Sequence, residues 1–110
     1  MSLSTHVLDT ARGRPAAGVG IELARLSGTS RAVLHTAETN ADGRTDAPLL
    51  GPGELEVGTY ELVFGVGAYF APEPAFYDTV TVRFVVEAPS DHHHVPLLVS
   101  PFAYSTYRGS

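Results

Sequence analysis

The chain has 110 residues, 44% of them hydrophobic and 17% charged, with a net charge of −5; this allows one folded domain with a modest core and speaks against a disordered chain. Its seven cations are all arginines, scattered rather than striped, so nothing is present to displace counterions from phosphates, and nucleic acid is excluded as an expected partner. With no cysteine there is no disulfide framework, thiol nucleophile or thiolate-bound zinc, and no apolar run approaches the ~20 residues of a membrane helix.

Met1-Ser2-Leu3-Ser4 lacks the charged and apolar regions of a signal peptide, so a cytoplasmic protein is expected. An N-terminal run follows, Thr5-His6-Val7-Leu8-Asp9, and then the turn-rich Arg12-Gly13-Arg14-Pro15. Val19, Ile21 and Leu23 alternate with Gly20, Glu22 and Ala24, the two-residue period of a half-buried strand. Residues 31–39 read as the next strand. Asn40-Ala41-Asp42-Gly43-Arg44 after it is turn chemistry, with Asp42-Gly43 suited to the positive φ of a hairpin connection. Residues 59–64 predict a strand with Tyr60, Leu62, Phe64 and Val66 on one face. A short helix is credible only over residues 67–73, where Pro72 would end it, because the residue before a proline disfavours helical dihedrals. Residues 79–87 place Val80, Val82, Phe84 and Val86 on one side and Thr79, Thr81 and Arg83 on the other, with Val85 breaking the polar face. Many short strands at close spacing, without a long helix, predict an all-β antiparallel sandwich in a single domain over residues 1–110.

The segment from His92 to Pro101 carries the first candidates for chemistry. Alternate side chains share a face, so His93 goes with Val95, Leu97 and Val99, which look like core, while His92 and His94 go with Pro96 and Leu98. His93 is therefore expected to be structural and His94 to face the other side. Pro96 lacks a backbone donor, which predicts an edge or a distortion there. Two imidazoles at this spacing can bind zinc, but a catalytic zinc usually takes three protein ligands; His6 or His35 would have to be brought in by folding. A nucleophile elbow of the form Gly-x-Ser-x-Gly is absent, as is a glycine-rich phosphate loop. Beyond the strand-like residues 102–106 stands Tyr107-Arg108-Gly109-Ser110. Chain ends are normally frayed, yet this one sets an aromatic, a permanent cation, a glycine and a hydroxyl where they could close a pocket.

Together these pieces resemble the transthyretin-like family of 5-hydroxyisourate hydrolases. Leu3-Ser4-Thr5-His6-Val7-Leu8-Asp9-Thr10-Ala11 with Gly13-Arg14-Pro15-Ala16 is similar to the family's opening motif, and Thr39-Asn40-Ala41-Asp42-Gly43-Arg44 to its central turn. Gly58-Thr59-Tyr60-Glu61-Leu62 and the run ending in Val82-Arg83-Phe84 look like its middle strands. The stretch from His94 to Ser110 is the most specific piece, and its ending separates these hydrolases from the hormone carrier transthyretin.

The resemblance implies a β-sandwich of about eight strands with one short helix, assembled as a homotetramer, a dimer of dimers. Active sites would lie at the interface between dimers, in the channel where the carrier holds its hormone. Carried over by motif, the catalytic residues would be His6, Arg44, His94 and Ser110. His6 and Arg44 would also bind substrate, with Tyr107 and Arg108 beside them and His92 in support. The implied reaction opens the six-membered ring of 5-hydroxyisourate at a lactam carbonyl, with His94 or His6 activating water and Arg44 forking onto substrate oxygens. No metal or other cofactor is required. The chain departs from the family pattern at His92-His93-His94, where His-Tyr-His is usual, and near Tyr77-Asp78, where a Pro-Glu is usual. Competing readings are a transthyretin-like carrier of a small aromatic ligand that catalyses nothing, and a monomeric structural or adhesive sandwich.

Overall fold

Strict alternation along the strands decides which side chains meet. In the computed structural model, which describes residues 2–110, the first strand, β1 (Leu3–Asp9), turns Leu3, Thr5, Val7 and Asp9 inward and leaves Ser4, His6 and Leu8 on the other face. The two-residue β2 (Arg14–Pro15) pairs with its end. Next come β3 (Gly20–Ser27), β4 (Ser30–Glu38) and β5 (Gly58–Phe64), then a single-turn helix, α1 (Val66–Phe70), and β6 (Val80–Val86). The chain closes with β7 (His93–Val99) and β8 (Tyr104–Thr106). Two four-stranded sheets result, ordered β2-β1-β7-β8 and β4-β3-β5-β6.

The core lies between these sheets. Leu3, Val7, Leu97 and Val99 come from one side, and Ile21, Leu23, Leu62, Phe64 and Val80 from the other, all buried. Val66 and Phe70, one helical turn apart, bury the inner side of α1, and the helix stops before Pro72 as expected. Asp9 ties that helix to β1. Its side chain is fully buried, accepting from the Tyr69 hydroxyl at 2.7 Å, the Arg12 guanidinium at 3.0 Å and the amides of Ala11 and Arg12. Burial alone would raise this carboxyl's pKa, but the hydrogen bonds from Tyr69 and Arg12 outweigh it and hold the group below its ordinary range. Leu62 sits at the middle of β5 with neighbours on both flanking strands, Leu23 and Val82. Leu62→Ala is expected to cost about 2–5 kcal/mol, through lost burial and the cavity it leaves, read from chemical denaturation.

Two features differ from what the sequence suggests, and a third decides between its alternatives. The pairing is antiparallel except at the centre of the first sheet, where β1 and β7 run parallel, setting Ser4 beside His94 and His6 beside Pro96. The turn at residues 40–44 is not a hairpin connection: β4 is an edge strand and β5 lies two positions away across β3. The real hairpin joins β3 to β4 through Gly28-Thr29, between the paired Ser27 and Ser30. Finally, β7 is an interior strand despite Pro96. The carbonyls of His94 and Pro96 face the β8 side, taking bonds from the Gly109 amide and the Thr106 hydroxyl. The missing N–H of Pro96 faces the same way, where the ladder is interrupted at Tyr107-Arg108, so the proline sits at a distortion rather than at an edge.

Candidate active site

The functional side chains collect on the outward face of the β2-β1-β7-β8 sheet. His93 goes inward, buried, donating from Nδ1 to the Asp91 carbonyl at 3.0 Å. His92 and His94 go outward, their rings stacked with centroids 6.3 Å apart and planes 14° off parallel. From β1, Ser4 Oγ stands 2.9 Å from His94 Nδ1 and 3.2 Å from His92 Nε2. Ser2 Oγ lies 2.6 Å from the other nitrogen of His92. These serines are what sequence reasoning missed. Only their place on the His6 face of β1 hinted at them, and the parallel register that brings them to histidines some ninety residues away has no local signal.

His6 projects from the same face, and its Nε2 lies 2.9 Å from the Asp42 carbonyl. A carbonyl only accepts, so Nε2 carries the proton and Nδ1 is the basic nitrogen of the neutral ring. That carbonyl belongs to the 40–44 turn, which Asn40 organises by accepting the amides of Asp42 and Arg44 on its side-chain oxygen. The turn is laid against β1 by a bond from the Val7 amide to the Gly43 carbonyl at 2.8 Å. Gly43 has φ +74, and a Cβ there would come within 2.3 Å of the Val7 carbonyl oxygen; glycine is required for this approach.

Arg44 is thereby held beside the histidines. It is exposed and, like Arg14, forms no ion pair among the described residues, whereas Arg12, Arg25, Arg31, Arg83 and Arg108 all do.

The titration of His94 is displaced. Partial burial pushes its pKa below the ordinary 6.5, and the charges of Arg44, His92 and His6 push it the same way. Neutral imidazole is therefore the resting form at physiological pH. Its ring orientation follows from two contacts. Nδ1 is turned to Ser4, and Cδ2 is turned to Gly109, where an added Cβ would come within 2.5 Å of it. The distal atoms, Nε2 among them, therefore lead away from the sheet.

The C-terminal residues are placed unevenly. Gly109 bridges to His94 by backbone pairing, and the His94 ring lies where a side chain at this position would begin. Tyr107 and Arg108 are exposed, with Arg108 4.0 Å from Asp91. Both line a cavity of about 290 Å3 that also takes in His94, Thr106, Val82 and Phe84 where the sheets part. Ser110 is exposed beyond the bridge. Among the described residues no three His, Asp or Glu side chains are grouped to hold a metal, and no helix is long and apolar enough to cross a membrane.

The model of the HIUase/Transthyretin family matches residues 3–109. The chain belongs to that family. A 5-hydroxyisourate hydrolase from Deinococcus radiodurans is 57% identical over 98% of this chain and 95% of its own. Among solved structures, an (S)-allantoin synthase superposes with a TM-score of 0.90 at 45% identity, covering 99% of this chain, which spans only 43% of that one. Transthyretin from Sparus aurata reaches the same TM-score of 0.90 at 26% identity over 98% of this chain and 96% of its own. The backbone is thus common to both branches of the HIUase/Transthyretin family, while sequence identity puts this member with the hydrolases, as an enzyme.

For this family member, Gly109→Ala tests the packing of the tail on His94. The fold is expected to survive, because the tail is largely exposed. Turnover is expected to fall about 10- to 100-fold as the imidazole is displaced; unchanged kinetics would mean that the contact does not position the ring.

Proposed function

We propose that the protein hydrolyses 5-hydroxyisourate to 2-oxo-4-hydroxy-4-carboxy-5-ureidoimidazoline, as one domain spanning all 110 residues. The observation that carries this reading is the convergence of His6, His92 and Arg44 on a His94 kept neutral. A carrier has no need of a basic imidazole beside an uncompensated guanidinium.

In this mechanism water stands against the outward Nε2 of His94. As the water oxygen bonds to the lactam carbonyl carbon, its proton passes to Nε2, which a neutral imidazole accepts at physiological pH. Arg44 donates to the substrate oxygens, and the developing oxyanion strengthens those bonds. The ring C–N bond then breaks, and the leaving nitrogen takes back the proton from His94. His6, its tautomer set by the Asp42 carbonyl, offers Nδ1 to orient the substrate. Tyr107 and Arg108 flank the site, and the Ser110 hydroxyl and carboxylate complete it from the chain end.

The cluster lies open on a sheet face, not in a closed pocket, so a single chain would leave the substrate exposed to solvent. This supports assembly as a homotetramer in which a facing copy covers each site. The expected cytoplasmic location is part of the same proposal. Urate oxidase generating 5-hydroxyisourate in the cuvette tests the reaction, because the intermediate's ultraviolet signal decays unaided and any acceleration over the blank is catalysis. A folded protein that leaves the decay at the blank rate would return the chain to the ligand-binding reading.

A further inference from the structure

The outer face of the β1–β7 pair holds a chain of hydrogen bonds, ending on the Nδ1 of His94, that the reaction above does not use. It runs Ser2 Oγ, His92 Nδ1 at 2.6 Å, His92 Nε2 to Ser4 Oγ at 3.2 Å, and Ser4 Oγ to His94 Nδ1 at 2.9 Å. Hydroxyl and imidazole alternate without a gap from Ser2, through the exposed His92 and then Ser4, to the half-buried His94.

We propose that this chain is a proton conduit that carries the proton released in each turnover from His94 to solvent, with Ser4 as the positioning residue that makes it continuous. The proposal rests on the hydrolytic role of His94 stated above.

The proton balance requires an exit. Water brings two protons to a neutral lactam; the leaving nitrogen keeps one, and the product carboxyl loses the other at neutral pH. That second proton is taken by His94 Nε2. With substrate or product over Nε2, the remaining route off the ring is Nδ1, and Nδ1 faces Ser4.

A single hydroxyl proton on Ser4 allows the chain two directions, each the reverse of the other, and the transfer uses both. Ser4 has one proton to donate and two imidazole nitrogens to serve. Before proton uptake, His94 Nδ1–H donates to Ser4, Ser4 donates to His92 Nε2, and His92 Nδ1–H donates to Ser2. His94 Nε2 is then a lone pair aimed outward, the state a general base needs. When Nε2 takes its proton, the Nδ1 proton moves to Ser4, the Ser4 proton to His92 Nε2, the His92 Nδ1 proton to Ser2, and the Ser2 proton to water. One proton enters, one leaves, and every bond in the chain is reversed. Once product has left, Nε2 gives its proton to water while a proton returns from Ser2 through His92 and Ser4 to Nδ1, which restores the starting state.

The surroundings favour onward transfer. His94 is faced by His6 from β1, by Arg44 from the 40–44 turn, by His92 from its own strand, and by Arg108 across the cavity they share. Apart from the Ser110 carboxylate at the chain end, the groups named around His94 are imidazoles and guanidiniums, which disfavour an imidazolium there, so a proton on His94 has reason to leave.

Ser4→Ala and His92→Phe test the conduit, both measured in weak buffer. Each is expected to lower kcat about tenfold at unchanged KM and unchanged melting temperature. Added imidazole, carrying the proton directly, restores the rate, and Ser4→Thr, which keeps the hydroxyl, stays near the parent. Wild-type kcat in both broken variants, or losses that imidazole does not repair, would overturn the conduit. A parent protein that fails to accelerate 5-hydroxyisourate decay would instead sink the hydrolase reading. In that case the nitrogen resonances of the histidines still test the chain without substrate. His94 is expected in the Nδ1–H tautomer, shifting toward Nε2–H in Ser4→Ala, and an unchanged tautomer would count against the chain. If Ser4→Ala does not fold, His92→Phe decides, since His92 is exposed and its loss removes no core contact.

Discussion

Replacing His94 with alanine is expected to lower turnover at least ~100-fold while leaving the fold intact. The lower bound follows from the usual contribution of a positioned general base. The fold is spared because His94 lies on the outer sheet face, whereas its neighbours His93 and Val95 are the ones packed inward. Stopped-flow decay of 5-hydroxyisourate gives the rate, and circular dichroism checks the fold. Turnover near normal in a folded variant would remove His94 from the mechanism. The pH profile supplies an independent check. Burial and the charges of Arg44, His92 and His6 lower the pKa of His94, so its neutral, active form persists below pH 6.5. The acid limb of kcat/KM is therefore expected below that value and is expected to vanish in His94→Ala. Stability carries the same sign: the unfolded chain binds the proton first, so this group's contribution is present above 6.5 and is lost as pH falls.

Removing the Arg44 guanidinium is expected to reduce kcat about 100- to 1,000-fold, the usual cost of deleting a donor aimed at a developing oxyanion. Arg44 is exposed and unpaired among the described residues, so Arg44→Ala leaves no buried charge behind and has little structural reason to unfold the protein. Arg44→Lys is expected to recover only part of the loss, because an ammonium is a point charge while the guanidinium reaches two oxygens with a planar fork. Arg14→Ala is the matched control. It removes the other unpaired arginine, which sits on β2 beside the far end of β1, and is expected to leave kcat and KM unchanged. Equal losses in the two variants would mean that net charge, rather than the placement of Arg44, controls the rate.

Strands were legible because burial imposes a period of two. Ile21 and Leu23, Tyr60 to Phe64, and Val80 to Val86 each present the inward side that their alternation suggests. The same argument separated His93 from His92 and His94 correctly. It ran out at β4, where residues 30–38 form the expected strand but are exposed on both faces, including Val33 and Leu34. An edge strand keeps its backbone pairing on one side and, apart from Ala37, this one has little packing, which composition does not record.

The site was legible only as a set of residues. His6, Arg44, His94 and the tail were named by likeness to a family whose model the chain then matched; no spacing rule connects positions 6, 44 and 94. The turn at 40–44 carried a strong signal for its own shape and none for where it would dock. Its attachment to Val7, rather than a return along β4, is what puts Arg44 near His6.

By itself the sequence determined the sandwich class, the inward and outward faces of β3, β5, β6 and β7, and the exclusion of thiol and elbow-serine chemistry. Those follow from local periodicity and residue type. Tertiary structure alone decided that β1 and β7 run parallel, that Ser4 therefore meets both His92 and His94, and that Gly109 lies against the His94 ring. The reason is physical. A strand's faces are set by neighbours two residues away, but its partner and register are set by core packing across the whole chain, where a shift of one residue would turn every one of these side chains to the other side.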